Sequence, residues 1–324
     1  LAGALCFCSC LALGHDGVGL TLCLSQQLFL LFFGLLCALF AAGSGLNVHI
    51  VQLVVCCSQG SFCLGLCSGF AIPVAQRFGS RDYKELRRFI GNAVWLCIGF
   101  GIVLTVLTVI FCRNILELMG TPADIIDDAY AYLVVIFAGI PATFLYNMLA
   151  GIQRAIGDSR TPVVILVIAS IINIVLDIVL VVFIPMGVAG AAVATVASQL
   201  IGGVVCLLYV SKHYEVLKMT REDFKINVPC IKRLLSMGLP MALQTSITAI
   251  GSVILQASVN SLGSTVVASI TAGSKLYMFF ACAYDAMGVT MSTYSGQNIG
   301  ARKIDRIGQG VKACNIVGIL YSVL

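Results

Sequence analysis

Asn173 and Asp177 are the residues of this chain whose types and spacing could do chemistry. They stand four apart, so on a helix they share a face, one turn from each other. Both lie in an apolar run bounded by Pro162 and Pro185, with Gly187 just beyond. The run leaves roughly 22 residues between breakers, enough to cross a hydrocarbon core of about 30 Å. A carboxylate at such depth costs on the order of 3 kcal/mol on insertion scales, so it must face a protein interior or a wet cavity and be partnered there. The next segment presents Gly187, Ala191, Thr195 and Gln199 at intervals of four, a small and partly polar stripe that lets two backbones approach. Asn173 and Asp177 facing a hydroxyl and an amide would offer hard oxygen ligands to an alkali ion, or an acceptor to a proton. The same aspartate could instead hold two helices together through a hydrogen bond, and the residues alone leave both readings open.

Further along, Lys275 and Asp285 occupy another long apolar stretch. Ten residues of helix put them about 15 Å apart, too far for a salt bridge along the helix. Lys275 can snorkel toward a membrane surface. Asp285, beside Tyr284 and Tyr277, suits an organic cation, although helix packing would also explain it. Gln244 and Gln256 are twelve apart and share a face, as cavity lining or as interhelical hydrogen-bond formers. Other chemistries find no support. Cys6, Cys8 and Cys10 are closely spaced, but no Cys or His cluster at zinc-site spacing follows, and cysteine in such apolar company acts as a small hydrophobe. With His15, His49 and His213 as the only histidines, no H-E-x-x-H and no G-x-S-x-G, a nucleophile lacks an evident base. A phosphate-binding G-x-x-x-x-G-K-[ST] stretch is absent too, so neither an enzyme nor a nucleotide-driven pump is expected, and no cofactor.

Those residues need membrane-spanning helices to position them. Of 324 residues 60% are hydrophobic and only 10% charged, where globular domains run near a quarter charged. The apolar runs are continuous for about twenty residues rather than alternating over about ten, which predicts helices and not a barrel. Spans are expected near residues 21–42, 50–75, 91–111, 130–152 (kinked at Pro141), 163–184, 187–210, 236–258 and 265–294, with a ninth beginning before Leu324. The connections at 76–90, 153–161, 211–233 and 297–312 are rich in Lys and Arg, while those between them are acidic or neutral. By the positive-inside rule the basic connections are cytoplasmic. The net charge of +5 follows from them and points to no nucleic-acid partner.

The chain also echoes itself. Gln76-Arg-Phe-Gly79-Ser-Arg81 and Gln297-Asn-Ile-Gly300-Ala-Arg302 match at Gln, Gly and Arg with an offset of 221, each at the basic end of a long span. Meeting the membrane from the same side makes the repeats parallel, related by a pseudo-two-fold axis along the membrane normal. The expected fold is all-α, two parallel six-helix lobes, with residues 1–210 the first lobe, 211–233 the joining loop and 234–324 the start of the second. Two lobes closing around a cavity would require a product of about 450 residues, so the second lobe is expected to be incomplete in this chain.

Several of these stretches resemble one family in its order. G-F-x-x-x-x-A-Q-x-F-G ending at Gly79, G-I-Q-R-A-x-G-D-S-R-T-P ending at Pro162, N-I-V-L-D ending at Asp177, M-G-V-A-G-A-A-V-A-T-V-x-S-Q ending at Gln199 and S-T-Y-S-G-Q-N-I-G-A ending at Ala301 are similar to the multidrug and toxic compound extrusion family over about residues 60–324. The resemblance implies a two-lobe exporter of the bacterial cytoplasmic membrane, expected to be monomeric, exchanging Na⁺ or H⁺ for small organic, often cationic, compounds by alternating access. It further implies that Asn173, Asp177 and Thr195 belong to a first-lobe cation site, which in some members also uses a first-span aspartate. Residues 21–42 contain no acidic residue, and Asp16 precedes them. A lipid-linked precursor flippase would share the layout but should show a strongly basic cavity, for which Lys275 is the sole intramembrane candidate. A non-transporting membrane role is the remaining alternative.

Overall fold

The computed structural model describes residues 48–118, 126–184, 186–260 and 264–323. The predicted span at 21–42, Asp16 and the Cys6–Cys10 cluster lie outside them, as do the side chains of Gln256 and Lys275. Every regular element among the described residues is helical: α1 Val48–Gly79, α2 Tyr83–Leu118, α3 Ile126–Ala138, α4 Ile140–Ala155, α5 Arg160–Asp177, α6 Gly187–His213, α7 Val228–Asn260, α8 Ser264–Gly300 and α9 Ile304–Val323. A π-helical turn, Ile178–Phe183, continues α5, and a 3₁₀ turn, Glu215–Leu217, follows α6. Five helical stretches are long and apolar enough to cross a membrane, and α3 with α4, bent by 40°, make a sixth.

The bend falls at Gly139 rather than at Pro141, which sits in the first turn of α4 where its missing N–H leaves no bond unmade. Gly139 is needed for space, since a Cβ there would come within 2.4 Å of the Val196 side chain on α6. The outer surface of α5 is mostly apolar, with Val163, Val164, Val167, Ile171 and Ile174 exposed and Pro162, Ile165 and Ala169 packed inward. Such a surface is suited to lipid.

At the centre runs α1. Its Leu66, Phe70 and Val74 are buried against Leu86 and Phe89 of α2, Phe144 and Met148 of α4, and Leu234 of α7. Against α7 it crosses with backbones touching: a Cβ on Gly65 would lie 2.5 Å from the Met241 carbonyl oxygen, and one on Gly69 2.6 Å from that of Met237. The Thr245 hydroxyl donates across this seam to the Ser61 carbonyl at 2.7 Å.

All four basic connections gather at one end. Gln297 donates from its side-chain amide to the Ala155 carbonyl at 2.8 Å, Tyr214 donates to Asp158, and Arg87 of α2 pairs with Asp223 at 3.4 Å. The longest of them is shorter than its charge pattern predicts, because α6 continues to His213 and α7 already starts at Val228, with Lys232 and Arg233 exposed on its first turns.

Candidate functional site

Asp177 closes α5, and the π-helical turn begins at the next residue. A π turn widens the helix and shifts the faces beyond it, and such turns recur at functional sites. Asn173 Nδ2 and Asp177 Oδ1 are both buried and have no hydrogen-bond partner among the described residues. Buried polar atoms are paired in the large majority of cases, so two orphans one turn apart on one face call for a ligand or an unmade contact. No Lys or Arg occurs from residue 161 to 211 to neutralise the carboxylate.

Thr195 lies on α6, half-buried, and its hydroxyl donates to the Ala191 carbonyl at 2.9 Å. That bond uses the proton and leaves oxygen lone pairs free to accept or to coordinate. Gln199 is engaged elsewhere: its Oε1 accepts from the Thr143 hydroxyl of α4 at 2.7 Å, so it does not face Asn173 and Asp177 as a free acceptor. The expected small stripe is also displaced. The fully buried row of α6 is Gly190, Ala194, Ser198, Gly202 and Cys206, beside the Gly187–Gln199 row. Gly187 has open space around it and is required instead by its φ of +59°, which turns the chain into α6. Gly190 makes the close approach, with a Cβ placed 3.1 Å from the Leu180 carbonyl oxygen of the π turn.

On the second repeat, Asp285 is exposed on α8 and Gln244 half-buried on α7, with no hydrogen bond or ion pair joining them among the described residues. Tyr284 stacks edge-on against Tyr321 of α9, ring centroids 5.5 Å apart, and its hydroxyl meets that of Ser322. Tyr284 is therefore held by α9 rather than by Asp285. Among the described residues no group of three or more His, Cys, Asp or Glu could hold a metal ion.

A polar cluster that the sequence reading did not single out lies at the basic end. Asn92 of α2 is fully buried: its amide donates to the Arg88 and Lys225 carbonyls at 2.8 and 3.3 Å, and its oxygen accepts the Asn227 N–H at 2.8 Å. Trp95 donates its indole N–H to the Phe224 carbonyl at 3.0 Å. An isolated Asn four residues after Arg88 and three before Trp95, on one helical face, was the available signal. Burial works to raise the Asp223 carboxyl, but the Thr220 amide and hydroxyl and the Arg87 guanidinium outweigh it and hold it below the usual range. Asp158 behaves likewise: burial opposes ionisation, and bonds from Thr161, Tyr214 and the Arg160 amide more than reverse it. The Tyr214 hydroxyl is pushed up to about 12, by burial first and by its bond to Asp158 second.

Residues 18–179 and 240–324 match the MatE family in two separate segments, as the internal repeat requires. The chain is 29% identical over 259 residues to the probable multidrug resistance protein YoeA of Bacillus subtilis, covering 78% of this chain and 56% of that protein. It is 31% identical over 251 residues to the probable multidrug resistance protein YpnP of the same organism, covering 76% and 55%. This chain thus spans about half the length of the curated relatives it matches. Among solved structures, an outward-facing multidrug resistance MATE family transporter of the MOP superfamily superposes with a TM-score of 0.77 over 94% of this chain and 70% of its own, at 21% identity, a likeness of fold. With the helical fold and both matched segments in place, the chain belongs to the MatE family.

Proposed function

We propose that the protein of which this chain is part is a secondary antiporter of the bacterial cytoplasmic membrane, exporting small organic compounds in exchange for Na⁺ or H⁺. The observation that carries this reading is the pair of orphaned buried atoms, Asn173 Nδ2 and Asp177 Oδ1. A carboxylate with one buried, unpaired oxygen and no basic residue in its own or the next span calls for a cation or a proton, and one that can exchange between the two sides of a membrane becomes a coupling site. The Asp177 carboxylate supplies the charge. The Asn173 carbonyl and the Thr195 oxygen supply neutral ligands if the ion is Na⁺, and stand by as hydrogen-bond acceptors if it is H⁺. Asp285 is assigned to cargo: an exposed carboxylate on α8 near Tyr284 attracts organic cations, with Gln244 on the adjacent helix as a further polar contact and Lys275 and Gln256 as candidates on the same two helices.

Asp177→Asn keeps the shape and removes the charge. In the full-length protein reconstituted into liposomes, D177N is expected to insert normally and lose at least about tenfold of its efflux rate, about 1.4 kcal/mol of coupling. Separate imposed Na⁺ and pH gradients identify the ion by which of the two drives the parent. Efflux by D177N as fast as the parent under both would make Asp177 a helix-packing residue.

A further inference from the structure

The internal echo at Gln76–Arg81 and Gln297–Arg302 is carried into three dimensions. Backbone bonds repeat one for one at the 221-residue offset: Ser80 N–H to the Gln76 carbonyl and Ala301 to Gln297, Arg81 to Phe78 and Arg302 to Ile299, Asp82 to Arg77 and Lys303 to Asn298. Both arginines are left-handed, with φ of 59° and 56°. Non-glycine residues rarely sit there, so both chain turns are specified in the same unusual way.

These two ends also meet each other. A Cβ on Gly79 would lie 1.9 Å from the Gln297 carbonyl oxygen, and one on Gly300 1.8 Å from the Gln76 carbonyl oxygen. Each glycine of the repeat thus rests on the other copy's glutamine backbone. Neither glycine has a positive φ, so lack of space rather than backbone freedom is what requires it. Above them Gly296 faces Ala75, a Cβ there falling 3.1 Å from the Ala75 Cβ. Gln297 adds a third tie, its amide reaching the last turn of α4 at Ala155.

We infer that the Gln76–Gly79 and Gln297–Gly300 turns form a two-fold symmetric latch that seals the basic end of the transport pathway and must part once per cycle. The inference rests on the antiport reading for its second half, the parting, while the closed latch stands on geometry. Backbone-to-backbone contact of this kind has two discrete states. The carbonyls cannot swing aside as a flexible side chain would, so the turns are either in register or apart. Gly79 and Gly300 are positioning residues in this scheme: they touch neither ion nor cargo, and they set how readily the sealed state forms.

Two measurements on the full-length protein test this. In Ala75→Cys/Gly296→Cys the two Cβ atoms lie 3.1 Å apart, a few tenths of an ångström closer than the roughly 3.5–4.5 Å typical of a disulfide, so with a small outward shift mild oxidation should cross-link α1 to α8, seen as a joined peptide by mass spectrometry. Efflux should stop on oxidation and return on reduction. Failure to cross-link would overturn the closed geometry, and undiminished efflux by the cross-linked protein would overturn the parting. The second measurement does not depend on transport. A membrane-impermeant maleimide applied from the basic side should label Ala75→Cys, a site 1% exposed, about tenfold faster when Gly79→Ala and Gly300→Ala are added. Gly308→Ala, in open space, should leave the rate unchanged. Equal labelling with and without the two alanines would overturn the latch. A parent that transports nothing while the labelling difference persists would count against the antiport reading alone.

Discussion

At the scale of single residues, Asp177 stood out because a carboxylate in an apolar run needs a partner, whether an ion or a neighbouring helix, and Asn173 because four residues make one helical turn. What the one-dimensional pattern could not supply was the partner. Gln199 had the right spacing and the right chemistry, yet its oxygen is taken by Thr143, a residue 56 positions away that no helical period connects to it. The Asp158–Tyr214 pair was hidden for the same reason, and it makes a test by pH. The Asp158 carboxyl is held below its ordinary 3.8, so the stability it contributes is complete above that value and is lost as pH falls through the lower folded one. Tyr214 is shifted the other way. Its share is complete below its ordinary 10 and is lost as pH rises toward about 12. The difference in thermal midpoint between parent and Tyr214→Phe should therefore stay level from pH 5 to 9 and shrink at both extremes. A difference that varied steadily across the neutral range would show that the clasp is governed by other groups.

Among the elements, helix existence followed from apolar run length, and every predicted span from residue 50 onward has a helix beneath it. Ends were less legible. Long helices run past the hydrocarbon into water, as α7 does through Lys232 and Arg233, and hydropathy cannot see that part. The π turn after Asp177 had no cue, since Ile-Val-Leu-Val-Val-Phe reads as ordinary spanning helix. The stripe on α6 was placed one row off because Gly187-Ala191-Thr195-Gln199 and Gly190-Ala194-Ser198-Gly202 share the same spacing and both begin with small residues, and the larger Thr195 and Gln199 were read for their chemistry rather than their size. The connection between α6 and α7 is held at several points, and Asn92 is the fully buried one, with two bonds to it. Replacing Asn92 with alanine leaves the Asn227 N–H and the Lys225 carbonyl without their partner in a part-buried setting, at about 1 kcal/mol. N92A should lower the thermal midpoint and speed proteolytic cleavage between Tyr214 and Asn227. Trp95→Phe, losing one bond at an exposed edge, should do the same more weakly. Cleavage rates equal to the parent in N92A would mean that Arg87 and Asp223 alone hold the connection down.

For the whole molecule, the alternation of loop charge proved the most informative single pattern, because insertion acts on short basic loops whatever the packing inside. The structure brings the four basic connections together without any membrane to impose it, through Gln297 to Ala155, Tyr214 to Asp158 and Arg87 to Asp223. The opposite end is set by α2. Its 36 residues extend about 54 Å at 1.5 Å per residue, and Arg113 near its far end lies 3.9 Å from Asp127. Lys84 at the start of α2 and Lys218 after α6 therefore belong to one face of the membrane and Asp127 to the other. All three are exposed, so in a background lacking the native cysteines a single cysteine at each can be labelled without disturbing a core. Reacted with an impermeant maleimide on intact cells, the Asp127→Cys protein should label and the Lys84→Cys and Lys218→Cys proteins should not. In inside-out vesicles the pattern should invert. Lys84 and Lys218 labelling from opposite sides would break the parallel relation between the repeats. With it would go the reason for Gly79 and Gly300 to face each other, since two copies entering the membrane from opposite sides cannot bring equivalent turns into contact.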